Sequence, residues 1–198
     1  MSPVVVLPLV LPFAVAAATL WLRGNELRQG RISILGSILH LAVCSALFIR
    51  VVQDGIQTTQ VGAWEAPFGI TLAADHLSAV MVMITAILGL AVAVYSRSEI
   101  DGDLLRSGYH PLLHILLGGV CGAFLTGDLF NLYVWFEVML MASFGLLVLG
   151  REKRQLDGGV KYVMINLFAT LLFITGVGLL YGMTGTLNLA DLHLAVQD

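Results

Sequence analysis

Long apolar runs alternate with short polar breaks along most of this chain. The runs are too continuous to be single faces of soluble helices. Six of them reach or approach the roughly 20 residues that cross a bilayer as a helix. They predict helices at about 3–22, 32–52, 76–95, 111–126, 129–149 and 160–183. Pro8 and Pro12 lie four apart in the first, so it should bend, and its neighbours must satisfy the carbonyls that lose their donors. Pro111 opens the fourth, where a missing N–H costs least. Gly118/Gly122 and Gly119/Ala123 in the fourth run, and Gly178/Gly182 in the sixth, have the spacing that lets helices pack closely.

Between the second and third runs the pattern changes. Residues 53–74 hold Gly55, Gly62, Pro67 and Gly69 and two β-prone pieces, Gln57–Val61 and Gly69–Leu72. They predict a hairpin on the membrane surface, with Trp64 and Phe68 as interfacial anchors. Asp75 is placed to cap the third helix. Residues 97–110 and 151–161 read as charged loops. A short helix over Leu189–Val196 is expected to lie along the membrane.

Composition agrees with this pattern. Hydrophobic residues make up 58% of the chain and charged residues 12%, against about 25% charged in soluble domains. The prediction is an all-α polytopic membrane protein of one domain, embedded in the lipid bilayer. A net charge of −3 with no basic patch argues against nucleic acid as a partner. No phosphate loop, metal-ligand spacing or haem attachment site is present, so no cofactor or metal is expected. Cys44 and Cys121 sit inside apolar runs and read as small buried hydrophobes. The first run lacks preceding basic residues and ends at Arg23, the reverse of a signal peptide, so a retained helix is expected.

Loop charges orient the six spans. Arg23, Arg28, Arg31, Arg97, Arg106, Arg151, Lys153, Arg154 and Lys161 follow the first, third and fifth runs, and only Arg50 lies on the other side. Nine of ten basic residues thus mark one side as cytoplasmic. The N-terminus and the hairpin are expected outside, in a cell membrane.

Glu137 is the residue that could carry chemistry. It stands in the middle of the fifth run, where an acid costs roughly 2.5–3.5 kcal/mol on insertion scales. Such a group has a partner, a proton or an ion. Its helical face holds Phe130, Tyr133, Val134, Leu140, Met141 and Phe144, with Tyr133 as the one hydrogen-bond donor. No Lys or Arg lies within the spans to pair with it, and Lys161 at the start of the sixth run reads as too distant in depth. Proton or ion transfer is one reading; a protonated acid holding helices together is the other.

Tyr162, Asn166 and Thr170 form a polar stripe on the sixth helix, which suits either helix packing or a hydrated path near Glu137. Ser78 and Thr85 on the third helix read as packing. His114, one turn into the fourth helix, is a candidate relay from the cytoplasmic side or an interfacial histidine without that role. His40 has less support. Ser143 lies on the fifth helix and His114 on the fourth, near the cytoplasmic side, which argues against an intramembrane serine protease. The chain reads as a transporter component, not an enzyme.

These residues resemble a known family. The matching stretches are 62–70 (Gly-Ala-Trp-Glu-Ala-Pro-Phe-Gly-Ile) with Leu72–Asp75, then 122–134 with Phe136-Glu137, then 180–192. They are similar to the antiporter-like membrane subunits of Mrp-type cation/proton antiporters, complex I and membrane-bound hydrogenases, and most of all to Mrp D subunits. The resemblance covers nearly the whole chain. It implies an N-terminal part of an antiporter-like fold and other subunits as partners. It implies protons and Na+, or another monovalent cation, as cargo. Glu137 then corresponds to the family's helix-five glutamate, which pairs with a lysine on a broken seventh helix and passes protons laterally. Members carry inverted repeats, and this sequence is expected to stop before the seventh helix. Two other readings stay open: a proton-pumping subunit of a redox-driven complex, and a structural membrane subunit that moves no proton.

Overall fold

Caps and glycines, more than hydropathy, set where the helices begin, end and touch. The computed structural model describes residues 3–64 and 69–195. In chain order they form α1 (Pro3–Trp21), α2 (Glu26–Asp54), β1 (Gln57–Gln60), a 3-10 turn (Val61–Ala63), β2 (Thr71–Ala74), α3 (His76–Glu99), α4 (Gly102–Ser107), α5 (Tyr109–Leu125), α6 (Leu129–Leu147), α7 (Lys153–Thr184) and α8 (Leu189–Ala195). The expected fourth, fifth and sixth helices are α5, α6 and α7.

α1, α2, α3, α6 and α7 are long and apolar enough to cross a membrane by length and composition. α5 is an apolar helix of 17 residues. It is the centre of the bundle, packed against α1, α3 and α6. Ten of its 17 residues are buried, against two of 32 in α7. The apolar surface of α7 therefore faces away from this bundle.

Several boundaries differ from the sequence reading. α2 starts at Glu26, not near 32, because the Asn25 side chain accepts from the Arg28 amide at 3.0 Å and caps it. α7 starts at Lys153, not near 160, on a capping box formed by Glu152 and Gln155. Lys161 consequently lies inside α7. α3 runs on to Glu99, and the expected 97–110 loop contains α4, closed by Gly108 at φ 114°. Pro111 is the third residue of α5 rather than the first. Its missing N–H still falls among the four unpaired amides of the first turn.

The hairpin is present as two antiparallel strands, with Gln57 opposite Ala74 and Gln60 opposite Thr71. The second strand begins two residues later than expected, because it is Leu72 and Ala74 that point into the core. Trp64 is 70% exposed, and Phe68 lies outside the described residues. Beneath β2, the core gathers Val5, Leu47, Val51, Ala79, Val82 and Leu125.

Small residues mark the helix crossings. A Cβ at Gly36 would meet Val15 at 2.5 Å, at Gly89 Leu117 at 2.7 Å, and at Gly118 Phe13 at 2.8 Å. The expected Gly178/Gly182 pair has no such neighbour among the described residues.

One carbonyl freed by the α1 prolines finds a new donor, as the sequence requires. Pro12 has no N–H to give the Pro8 carbonyl, and the ring of His40, 3.1 Å away, donates instead from Nε2. His40→Ala should leave that carbonyl unpaired. The expected loss is about 1–3 kcal/mol, read as a lower melting temperature of the assembled protein.

Asp75 caps α3 by accepting from the Ser78 amide at 2.7 Å. That bond holds its carboxyl below the ordinary carboxylate range. Asp75→Ala should cost about 1 kcal/mol. A depressed folded-state value means the contribution is full above the unfolded pKa and is lost as pH falls through the folded one. Melting of the variant and the native protein should differ at about pH 5 and converge toward about pH 3.

Candidate functional site

The side of α6 that meets α5 is fixed by two glycines. A Cβ at Gly119 would meet Met139 at 2.8 Å, and one at Gly122 would run into the Trp135 ring. With Trp135 and Met139 turned to α5, Glu137, Leu140, Met141 and Phe144 are turned the other way, to α7. Glu137 lies eight residues after Leu129 and ten before Leu147, near the middle of α6.

Glu137 lines a cavity of about 120 Å³ with Leu140, Met141 and Phe144 of α6 and Tyr162, Val163, Asn166, Leu167 and Thr170 of α7. One water needs roughly 10–15 Å³, so the space admits several. A second cavity of about 270 Å³ adjoins it along the same seam and shares Leu140, Asn166 and Thr170. Tyr133 lines this second cavity, stacked on Phe173 with ring centres 6.4 Å apart.

The α7 stripe is partly spent on its own helix. Asn166 Nδ2 donates to the Tyr162 carbonyl at 2.8 Å, and Thr170 Oγ1 donates to the Asn166 carbonyl at 2.7 Å. Their oxygens remain as acceptors. Ser143 Oγ donates to the Leu140 carbonyl at 3.0 Å and lies 2.9 Å from the Tyr162 hydroxyl. With the serine proton so directed, Tyr162 is the donor, and this bond ties α6 to α7. The sequence reading weighed Ser143 only as a nucleophile, because a lone hydroxyl in an apolar run does not reveal its partner.

Tyr162, Asn166 and Thr170 thus share the Glu137 cavity, and Tyr133 stands beside it. His114 does not join them. It is 1% exposed, on the far side of the α5–α6 contact, and its Nε2 lies 2.9 Å from Ser33 Oγ of α2. It is a deeply buried group. Among the described residues the one ion pair is Arg106–Glu26, at 2.8 Å, so Glu137 has no charged partner there. Lys161, although inside α7, is exposed.

The two ends of the bundle differ. At one, Arg23, Asp103, Arg106 and Arg151, from three separate connections, line a single open cavity. At the other, the hairpin, the α5–α6 turn and the α7–α8 turn meet in a polar junction. Leu72 bridges Thr126, and Asp128 bridges Asn188. Asp128 caps α6 by accepting from the Asn131 amide at 2.8 Å. Asn131 Nδ2 donates to Thr126 Oγ1, and Asn188 Nδ2 to Thr71 Oγ1, both at 2.9 Å. Leu72, Thr126, Asp128 and Asn188, each from a stretch that carries the family resemblance, therefore meet here.

The family model described as NADH:quinone oxidoreductase/Mrp antiporter, TM, matches residues 126–198. Over all 198 residues the chain is 42% identical to the Na(+)/H(+) antiporter D subunit of Bacillus subtilis (strain 168), covering 40% of that protein. The fold matches a chain of the Mrp complex from Dietzia sp. DQ12-45-1b with a TM-score of 0.87 and 27% identity, over 98% of this chain and 39% of that one. It matches a chain of the membrane-bound sulfane sulfur reductase, an archaeal respiratory membrane complex, with a TM-score of 0.90 and 26% identity, over 98% and 40%. The chain spans about two fifths of the length of these relatives. By sequence and by fold together, the chain is similar along its whole length to Na(+)/H(+) antiporter D subunits and to chains of the Mrp and sulfane sulfur reductase complexes.

Proposed function

We propose that this chain is part of a proton-translocating subunit of a multisubunit monovalent cation/proton antiporter, with Na+ as the cation and Glu137 as the proton carrier near the membrane midplane. The observation that carries this reading is the cavity that joins Glu137 to Tyr162, Asn166 and Thr170 at mid-helix, where an unpaired acid is otherwise costly. Glu137 accepts a proton in the cavity and releases it when a cation comes close, and Tyr133 marks the continuation of the hydrated seam. The approaching charge is a lysine of a later helix, outside these residues, as the family resemblance implies. Driving one charge across 100 mV is worth roughly 2.3 kcal/mol.

In this reading the end that carries Arg23, Arg106 and Arg151 is cytoplasmic, and the N-terminus and hairpin face outward. α5 is a sixth span, about 25 Å long, whose short length fits its central place in the bundle. Trp64 anchors the hairpin at the outer interface. The partners are the other subunits of the complex, in the cell membrane, and the subunit itself is a transporter component rather than an enzyme.

The test is antiport in everted vesicles that carry the intact complex, with Glu137→Gln and Glu137→Asp compared after assembly is checked on native gels. Normal exchange by the Gln variant makes Glu137 structural. The close fold match to the sulfane sulfur reductase complex favours a second reading, a subunit of a redox-driven pump with the same chemistry at Glu137. Co-purification of redox subunits instead of antiporter subunits decides for it.

A further inference from the structure

A second line of polar groups runs between α2 and α5, apart from the Glu137 cavity. α2 contributes Gln29, Ser33, Ser37 and His40, and α5 contributes His110, His114 and Cys121. None is more than 3% exposed. They face each other by depth. Gln29 and His110 lie in the first turns of their helices, at the charged end of the bundle. Ser33 and His114 meet one turn deeper at 2.9 Å. Cys121 Sγ and His40 Nε2 come together at 3.6 Å, and the His40 proton is already committed to the Pro8 carbonyl. From His110 to Cys121 the line descends about 16 Å at 1.5 Å per residue. Beyond it Cys44, Leu47, Val51 and Leu125 close the seam with apolar side chains.

Three buried polar atoms in the first layer have no hydrogen-bond partner among the described residues: both ring nitrogens of His110 and Oε1 of Gln29. Gln29 Nε2 is held by the Thr19 carbonyl at 3.1 Å, which fixes where that amide sits. Gly30 lies against the same layer. A Cβ there would stand 3.8 Å from His110 Nε2 and 3.9 Å from Arg97 Cγ, so a methyl-sized space adjoins the unpaired nitrogen. Leaving such groups unpaired in a dry interior is costly. A water in contact with two or more polar atoms removes that cost.

We propose that the α2–α5 seam is a second proton-binding site, hydrated and open only to the charged end of the bundle. Water reaches His110 beside Gly30 and Gln29 and carries a proton on to His114, which keeps its bond to Ser33. The proton leaves by the same route. The apolar plug blocks the way past His40, and the tight Gly119–Met139 and Gly122–Trp135 contacts separate the seam from Glu137. The other titratable or charged groups facing the seam are Tyr109, whose ring meets His110 edge-on at 5.4 Å, Arg97 of α3, and Cys44 and Cys121.

Histidine C2 hydrogen–deuterium exchange, read by mass spectrometry on the intact complex across pH, tests this directly. The C2 hydrogen exchanges only where water reaches the ring, and its rate follows the titration of that ring. His110 and His114 should both exchange with a sigmoidal pH dependence, and Gly30→Ala should slow His110 by filling the space beside Nε2. His114→Gln preserves a hydrogen bond to Ser33 but cannot titrate. It should shift the pH of half-maximal antiport. Two silent rings in the native complex would mean a dry seam and overturn the proposal. So would an unshifted antiport profile in His114→Gln. The antiport arm rests on the function proposed above, whereas the exchange arm does not: Glu137→Gln should leave both exchange rates unchanged whatever it does to transport.

Discussion

Glu137→Gln is expected to reduce cation-dependent collapse of ΔpH in everted vesicles to the level of vesicles lacking the complex, with the complex still assembled. Glutamine keeps the size and the hydrogen-bonding atoms of the side chain. It fits the same cavity against Leu140, Phe144, Tyr162 and Asn166. What it loses is the exchangeable charge. A structural acid would tolerate this change, since a neutral amide at mid-helix is easier to bury than a carboxylate. Glu137→Asp draws the carboxyl back by about one C–C bond, about 1.5 Å. A 1 Å misplacement can cost up to about 10²-fold, so the Asp variant should be slow but measurably active. Loss in Gln with residual rate in Asp is the pattern of a carrier.

The largest structural effect is expected at Gly122. A Cβ there would come within 2.7 Å of three atoms of the Trp135 indole. Trp135 is also packed against Phe13, with ring centres 6.2 Å apart, which limits how far the indole can retreat. Gly122→Ala should therefore separate α5 from α6 at a cost of about 3 kcal/mol or more, the upper range for overpacking. The readout is loss of assembled complex on native gels, together with a lowered melting temperature of what remains. Gly30→Ala is the matched comparison, because its methyl group meets nothing nearer than 3.8 Å and the complex should assemble normally.

Much of this was legible in the sequence because the bilayer imposes length and hydropathy on every spanning element. The apolar cores of the long helices, the hairpin, the Asp75 cap and the Gly118/Gly122 contact faces follow from local residues alone. The helix ends did not. Charge was read as the end of a helix at Arg28, Arg31 and Lys153, but charge only takes a residue out of lipid. Asn25 and the Glu152–Gln155 box decide where the backbone starts to turn. The Tyr162–Asn166–Thr170 stripe was visible from its four-residue spacing, and the structure sets it against Glu137. The Tyr162–Ser143 bond and the separation of His114 from Glu137 depend on how α5, α6 and α7 are rotated. That rotation is fixed by contacts such as Gly119–Met139, whose two halves lie apart in the chain.

The polar junction at the hairpin end also bears on the order in which the protein is built. The Asn188–Thr71 bond spans 117 residues. Leu129 donates to the Leu187 carbonyl, and Leu189 to that of Gly127. None of the three can form until α7 has been synthesised and inserted, since residues 187–189 lie beyond its end. The hairpin and the α5–α6 turn can meet earlier, through the Gly127 amide and the Thr71 carbonyl at 2.8 Å. Closure of this end is therefore a late event in biogenesis, and a nascent chain halted before Leu187 lacks all three bonds and holds α7 mainly by its side contact with α6.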